Sequence, residues 1–261
     1  TSMDGIDASL IQSDGVNKFI TIMDEYYKFD DKLFKKLVKL RNFISCKDDL
    51  VNYSKDLIEL DRDLTFFHGK IANDISEKYK YQIDFIGFHG HTIFHNPSMG
   101  ISRQIGDARL LSQITKKKVV YDFRQQDIAN GGQGAPLTPI FHNLLSKVLL
   151  AQNNIEYPIC FLNIGGISNI TITAEDKELS NDKFKAFDIG PGNCLIDQWI
   201  LKNSKYRYDD KGSVGKSGVI DKLILNQAIE NFKINSYDQS LDINDFDISF
   251  AKGLSLENGS A

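Results

Sequence analysis

At 261 residues, with 41% hydrophobic and 25% charged side chains, the chain exceeds what one compact core usually holds, and two lobes are expected. A net charge of -4 leaves no basic excess to neutralise a polyanion, which sets nucleic acid aside as a partner and leaves small phosphorylated ligands open. No apolar run is long enough to span a bilayer, and Cys46, Cys160 and Cys194 form no C-x-x-C pair, which argues against a membrane protein, a disulfide framework and a thiolate metal site.

The chain opens on Thr1-Ser2-Met3-Asp4-Gly5 with neither an initiator Met nor a basic and apolar leader, so part of a longer cytoplasmic polypeptide is expected. Ala8–Gln12 and Lys18–Ile22 flank Ser13-Asp14-Gly15, and Asp-Gly between β-formers predicts a hairpin. Leu33, Phe34, Leu37, Leu40 and Ile44 recur at helical spacing behind Asp30 and Asp31, which predicts a capped helix over Asp30–Ile44. Leu50, Tyr53, Leu57, Leu60, Leu64, Phe67, Ile71 and Ile75 fall on one stripe and predict a single core-packing helix from about Asp48 to Tyr79. Beyond it, Ile83–Phe88, Val119–Phe123, Pro158–Asn163, Asn169–Thr173 and Lys185–Ile189 read as strands. Helical patterns over Pro139–Gln152, Asn193–Lys202 and Val219–Phe232 alternate with them, and the alternation predicts an α/β fold.

Three glycine-centred loops stand out: Gly131-Gly132-Gln133-Gly134, Gly165-Gly166 and Gly190-Pro191-Gly192. Two follow apolar runs that read as strands, where backbone amides can close on a phosphate or a sugar. Neither G-x-x-x-x-G-K-[ST] nor G-x-G-x-x-G occurs, so a P-loop or Rossmann site is not predicted. Thr1 to Asp7 supplies hydroxyls, amides and acids ahead of the hairpin, an arrangement suited to phosphates and Mg²⁺ or to an ordinary polar turn. Asp188 ends a strand just before Gly190 and Asn193, where it is either a general base or a turn-ordering acid. Arg124, Asp127 and Gln133 follow another strand and could clamp an anion and bind hydroxyls, or form a solvated ion pair. His89, His91 and His95 invite a metal reading, but no Cys or carboxylate cluster flanks them, so a sugar-contacting or loop-ordering role is expected instead.

Together, TSMDGIDASLI, GFHGHTIFHNP, RQIGDARLL, VVYDFRQQDIANGGQGAPLTPIFH, LNIGGISNIT, FDIGPGNCLIDQWI and SLDINDFDISFAKGLSLENGSA make the whole chain resemble the anhydro-N-acetylmuramic acid kinase family of bacterial cell-wall recycling. The resemblance implies an α/β, two-lobed fold of the actin, sugar kinase and Hsp70 type, with ribonuclease H-like sheets and a central ATP cleft, incomplete at the C-terminus. The implied lobes are 1–123, with the first phosphate loop, and 124–261, with the sugar-binding and catalytic loops. The implied reaction uses ATP and Mg²⁺ to open the 1,6-anhydro bond hydrolytically and phosphorylate O6, giving N-acetylmuramate 6-phosphate in amino sugar catabolism.

Carried over residue by residue, the resemblance makes Asp188 the base. It places ATP at Thr1, Ser2, Met3, Asp4, Gly5, Ile6, Asp7, Gly165 and Gly166, with Asp4 toward Mg²⁺. The sugar falls at Arg124, Asp127, Gln133, His89, Gly190 and Asn193, and a homodimer is implied. His91 stands where the family's HGQT carries Gln. An inactive sugar- or nucleotide-binding remnant and another sugar or acid kinase of the same superfold are the competing expectations.

Overall fold

In a computed structural model, residues 4–152, 155–175, 184–231 and Leu241, Ile243 and Phe246 are described. They build a mixed α/β chain of short sheets and helices in two compact units, Thr1–Leu137 and Thr138–Ala261. The segment Arg124 to Leu137 thus belongs with the first unit.

The first unit opens on the antiparallel pair β1 (Gly5–Ser13) and β2 (Phe19–Lys28). Asp14 organises the loop between them: its Oδ1 accepts from the amides of Val16, Asn17 and Lys18, which holds the carboxyl down to about 2. Helix α1 (Asp31–Phe43) starts where Asp30 accepts from the amide of Leu33. The single long helix expected over 48–79 is two helices, α2 (Lys47–Asn52) and α3 (Ser54–Tyr79), parted at Tyr53 with φ -101° and ψ 22°. The apolar stripe stays in phase across the break, so periodicity does not register it, and Tyr53 stacks on Phe43 of α1 with ring centroids 5.4 Å apart.

Leu33, Leu37 and Leu40 of α1 pack with Leu57, Leu60, Leu64, Ile71 and Ile75 of α3 and with Ile6, Met23 and Phe29 into one core. Burying these side chains is what holds the helices to the hairpin, at roughly 1.5–3 kcal/mol per fully buried large aliphatic group.

Beyond α3, β3 (Phe85–Phe88) leads to the hairpin of β4 (His91–Asn96) and β5 (Ile101–Ile105), then to α4 (Ala108–Thr115) and β6 (Lys118–Tyr121). β3 and β6 pair in parallel. Asp61 of α3 locks the end of β5, accepting from Arg103 Nη2 and from the amide of Gly106. Helix α5 (Phe123–Ala129) closes the unit. Its Gln125 accepts from the amide of Ser102 and donates to the carbonyl of Gly100, tying the helix to the β4–β5 hairpin.

In the second unit α6 (Pro139–Gln152) precedes an antiparallel meander of β7 (Ile159–Ile164), β8 (Ile167–Thr173) and β9 (Phe184–Pro191). Helices α7 (Cys194–Asn203), α8 (Ser213–Ser217) and α9 (Lys222–Asn231) follow. α9 begins later than the expected Val219 because Asp221 Oδ1 caps the amides of Leu223 and Ile224. His142 of α6 bonds Thr171 Oγ1 at 2.8 Å and stacks on Phe161, fixing that helix on the meander. Among the described residues no helix is long and apolar enough to cross a membrane.

Candidate active site

Two places bring expected site residues together, one in each unit. In the first, β3 and β6 end side by side with Phe88 opposite Tyr121, and the chain leaves them through His89 and Asp122. Arg124 turns back to this edge, donating from Nε to His89 Nε2 at 2.8 Å and from Nη1 to the carbonyl of Gly134 at 2.7 Å. Guanidinium always donates, so His89 Nε2 is an acceptor and the proton sits on Nδ1, which reaches the Gly90 carbonyl at 2.8 Å. The imidazole is therefore a neutral Nδ1–H tautomer. Burial and then the Arg124 charge push its pKa below the ordinary histidine value.

Asp127 shapes the loop that follows. Its Oδ2 accepts from the amide of Gly134 at 2.7 Å, and its carbonyl accepts from the amide of Gly132. A Cβ on Gly132 would collide with that carboxylate, so the GGQG run is what lets the loop fold over Asp127. Gln133 is exposed at its tip. Arg124 has no carboxylate within ion-pairing distance among the described residues, so the alternative reading, a loop ion pair with Asp122 or Asp127, is not what forms. The other two histidines go elsewhere: His95 Nδ1 meets Ser102 Oγ, and His91 is buried against Phe29. Burial first, then the neighbouring His68, lowers His91 to about 4.

The second place is built by the meander. Asp188 lies on β9 opposite Asn169, next to a register shift between Ser168 and Asn169. Its half-buried carboxyl is pushed above the usual carboxylate range by burial, against the opposing pull of one hydrogen bond, the amide of Leu241 donating to Oδ2 at 2.8 Å. The Gly165-Gly166 turn joins β7 to β8 and faces the start of α7. The amides of Gly192 and Cys194 donate to the Gly166 carbonyl at 2.9 and 3.3 Å, and that of Asn193 to the Gly165 carbonyl at 2.6 Å. A Cβ on Gly192 would collide with the Gly165 carbonyl oxygen, so glycine is what allows the two loops to close on each other. The amides of Gly192, Asn193 and Cys194 are thus spent on the turn rather than open to a phosphate. Asn193, the N-cap of α7, is exposed and its side chain makes no capping bond.

Of the expected ATP residues, Thr1, Ser2 and Met3 lie outside the described residues. Asp4 is half-buried and its carbonyl accepts from the amide of Phe29. Gly5, Ile6 and Asp7 are paired in β1 with Lys28, Tyr27 and Tyr26. Ile6 is buried in the core, whereas Asp7 is exposed. The contact of Leu241 with Asp188 spans 53 residues and has no local signal in the sequence.

Residues 1–237 match a protein family described as anhydro-N-acetylmuramic acid kinase. A relative of that name from Pelagibacter ubique (strain HTCC1062) is 49% identical over 261 residues, covering 99% of this chain and 68% of the relative. Another, from Brucella suis (strain ATCC 23445 / NCTC 10510), is 38% identical over 267 residues, covering 99% of this chain and 69% of the relative. A third, from Agrobacterium fabrum (strain C58 / ATCC 33970), is 37% identical over 250 residues, covering 94% and 65%. Similarity of this depth along nearly the full chain shows that it belongs to the anhydro-N-acetylmuramic acid kinase family.

Proposed function

We propose that this chain carries the ATP-dependent kinase activity that opens 1,6-anhydro-N-acetylmuramic acid with water and phosphorylates its O6, yielding N-acetylmuramate 6-phosphate and ADP in peptidoglycan recycling. The observation that carries the reading of the site is Asp188, a half-buried acid within β9, three residues before the strand ends at Pro191 rather than at its end as expected, whose pKa is raised by burial. Relatives named as kinases favour an active enzyme over an inactive remnant. The β7–β8–β9 meander leading into α7 supports the ribonuclease H-like lobe of an actin, sugar kinase and Hsp70 fold.

Water is a weak nucleophile, and a carboxylate within hydrogen-bond reach takes its proton as its oxygen bonds C1 and C1 becomes oxocarbenium-like. Asp188 fills that role: the C1–O6 bond breaks, O6 bonds the γ-phosphorus, and the bond from that phosphorus to the bridging oxygen of ADP breaks. Burial raises the basicity of Asp188, and the Leu241 amide holds one of its oxygens. Arg124, with His89 and Asp127 behind it, orients the sugar, Gln133, Gly190 and Asn193 contact it, and Gly165 and Gly166 lie toward ATP.

Among the described residues no three His, Cys, Asp or Glu side chains group as a metal cage. Phosphate-held Mg²⁺ needs only one or two carboxylates, and Asp4, within the Thr1–Asp7 segment proposed to hold ATP, fits that donor set. Bound there, Mg²⁺ would neutralise charge on the transferring phosphoryl group. The family resemblance extends the proposal to a cytoplasmic homodimer.

The test is full-length enzyme with anhydro-N-acetylmuramic acid, ATP and Mg²⁺, following both ADP and the 6-phosphate. Asp188→Asn is expected to lower kcat by about 10²–10⁴-fold with little change in sugar KM. Wild-type turnover in that variant would remove Asp188 from the role.

A further inference from the structure

We propose that Asp122 is a further substrate-contacting residue, its carboxylate accepting a hydrogen bond from a hydroxyl of the bound sugar. The inference rests on the reading that the Arg124–Gly134 segment takes the sugar. Three observations lead to it.

The first is position. Phe88 and Tyr121 are register partners in the parallel pair β3–β6, so His89 and Asp122 are the next residues on the two neighbouring chains as both leave the carboxyl edge. That edge is where open α/β sheets bind ligands. Arg124, two residues on, reaches back to His89, so acid, imidazole and guanidinium share one end of the sheet.

The second is backbone conformation. Asp122 has φ 63° and ψ 33°, the left-handed region that costs a residue with a Cβ on the order of 1 kcal/mol or more. Four non-glycine residues have positive φ among the described residues: Lys80, Lys116, Asp122 and Lys211. Lys80 and Lys116 end α3 and α4, where a left-handed residue is the usual way to terminate a helix. Lys211 lies in a 3-10 turn. Asp122 alone of the four stands at a strand-to-helix junction, where an extended residue is the ordinary choice.

The third is that the carboxylate is unused. An Asp at the start of a helix normally accepts from an amide of the first turn, as Asp30 and Asp107 do here. Asp122 makes no such bond. Only its backbone serves the helix, its carbonyl accepting from the amide of Gln126 at 3.0 Å. Among the described residues its carboxylate has no hydrogen-bond or ion-pair partner, although Arg124 is two positions away. A half-buried acid that is strained, does not cap and does not pair is held ready for a donor from outside the chain. A sugar hydroxyl is that donor, and no proton is transferred in making the bond.

Two substitutions separate the side chain from the backbone. Asp122→Gly relieves the left-handed strain and removes the acceptor. Asp122→Asn keeps a residue that tolerates the conformation and removes the charge. Measured on full-length enzyme, the KM for anhydro-N-acetylmuramic acid is expected to rise about tenfold or more in Asp122→Gly and by a smaller factor in Asp122→Asn. The KM for ATP should not change, and the melting temperature of the glycine variant should be equal to or above wild type.

Wild-type sugar KM in both variants would overturn the proposal and leave Asp122 as a backbone device. Arg124→Ala is run beside them. If it too leaves the sugar KM unchanged, the sugar-binding reading of the segment fails. If Arg124→Ala raises the KM while both Asp122 variants behave as wild type, only the present inference fails.

Discussion

The two glycine-rich places look alike as sequence and are built in opposite ways. Around Arg124 the glycines make room for side chains: Gly132 clears the Asp127 carboxylate, and the polar groups answer one another through side chain-to-backbone bonds. Around Asp188 the glycines make room for backbone, with amides 192 to 194 closing on the carbonyls of Gly165 and Gly166. Glycine richness thus marks close approach in both, but Gly132 abuts a carboxylate that can rotate away, whereas Gly192 abuts a carbonyl that cannot. A side chain can yield by changing rotamer, whereas a packed carbonyl moves only with its strand.

That contrast can be broken by measurement. Gly192→Ala sets a Cβ against a carbonyl oxygen and is expected to destabilise the protein by more than about 2 kcal/mol, with a matching fall in melting temperature. Gly132→Ala sets its Cβ against a carboxylate that can turn, at the cost of the bond to the Gly134 amide, and about 1 kcal/mol is expected. Equal losses in the two variants would erase the distinction.

A pH profile sharpens it further. Asp188 must be ionised to act as base, and burial raises its pKa, so kcat is expected to fall with acidification at a pH above the ordinary carboxylate range. An acid limb below that range would contradict the burial argument. The smallest effect is at His89. Its Nε2 accepts from Arg124 and its pKa is lowered, so nitrogen-15 shifts should report a neutral Nδ1–H ring that stays unprotonated where an ordinary histidine takes up its proton.

Elements with a strong apolar period were legible, because a stripe such as Leu33, Leu37 and Leu40 can be satisfied only as one buried face. The β4–β5 hairpin was not. Its residues His91, Thr92, Ile93, Phe94 and His95 drew attention as a histidine cluster, while the alternation that buries His91 and Ile93 is short and carries a bulge between Thr92 and Phe94. α4 and α5, with eight and seven residues, are too brief for a helical period to show, and α5 buries none of its residues.

At the site, Arg124, Asp127 and His89 could be named from chemistry, but their division of labour could not. Sequence offers Arg124 two nearby acids, and the structure gives it an imidazole and a carbonyl instead. The hydrogen bond from Leu241 to Asp188 depends on how distant chain returns to the meander, which no local pattern encodes.

The three amides donated from the start of α7 to the Gly165-Gly166 turn have a mechanical consequence. The turn proposed to lie toward ATP and the strand that carries Asp188 are stitched into one stiff piece, so neither can shift without the other. Thermal opening of this stitch should expose the amides of Gly192, Asn193 and Cys194 to exchange with solvent deuterium as a single event, at one shared rate.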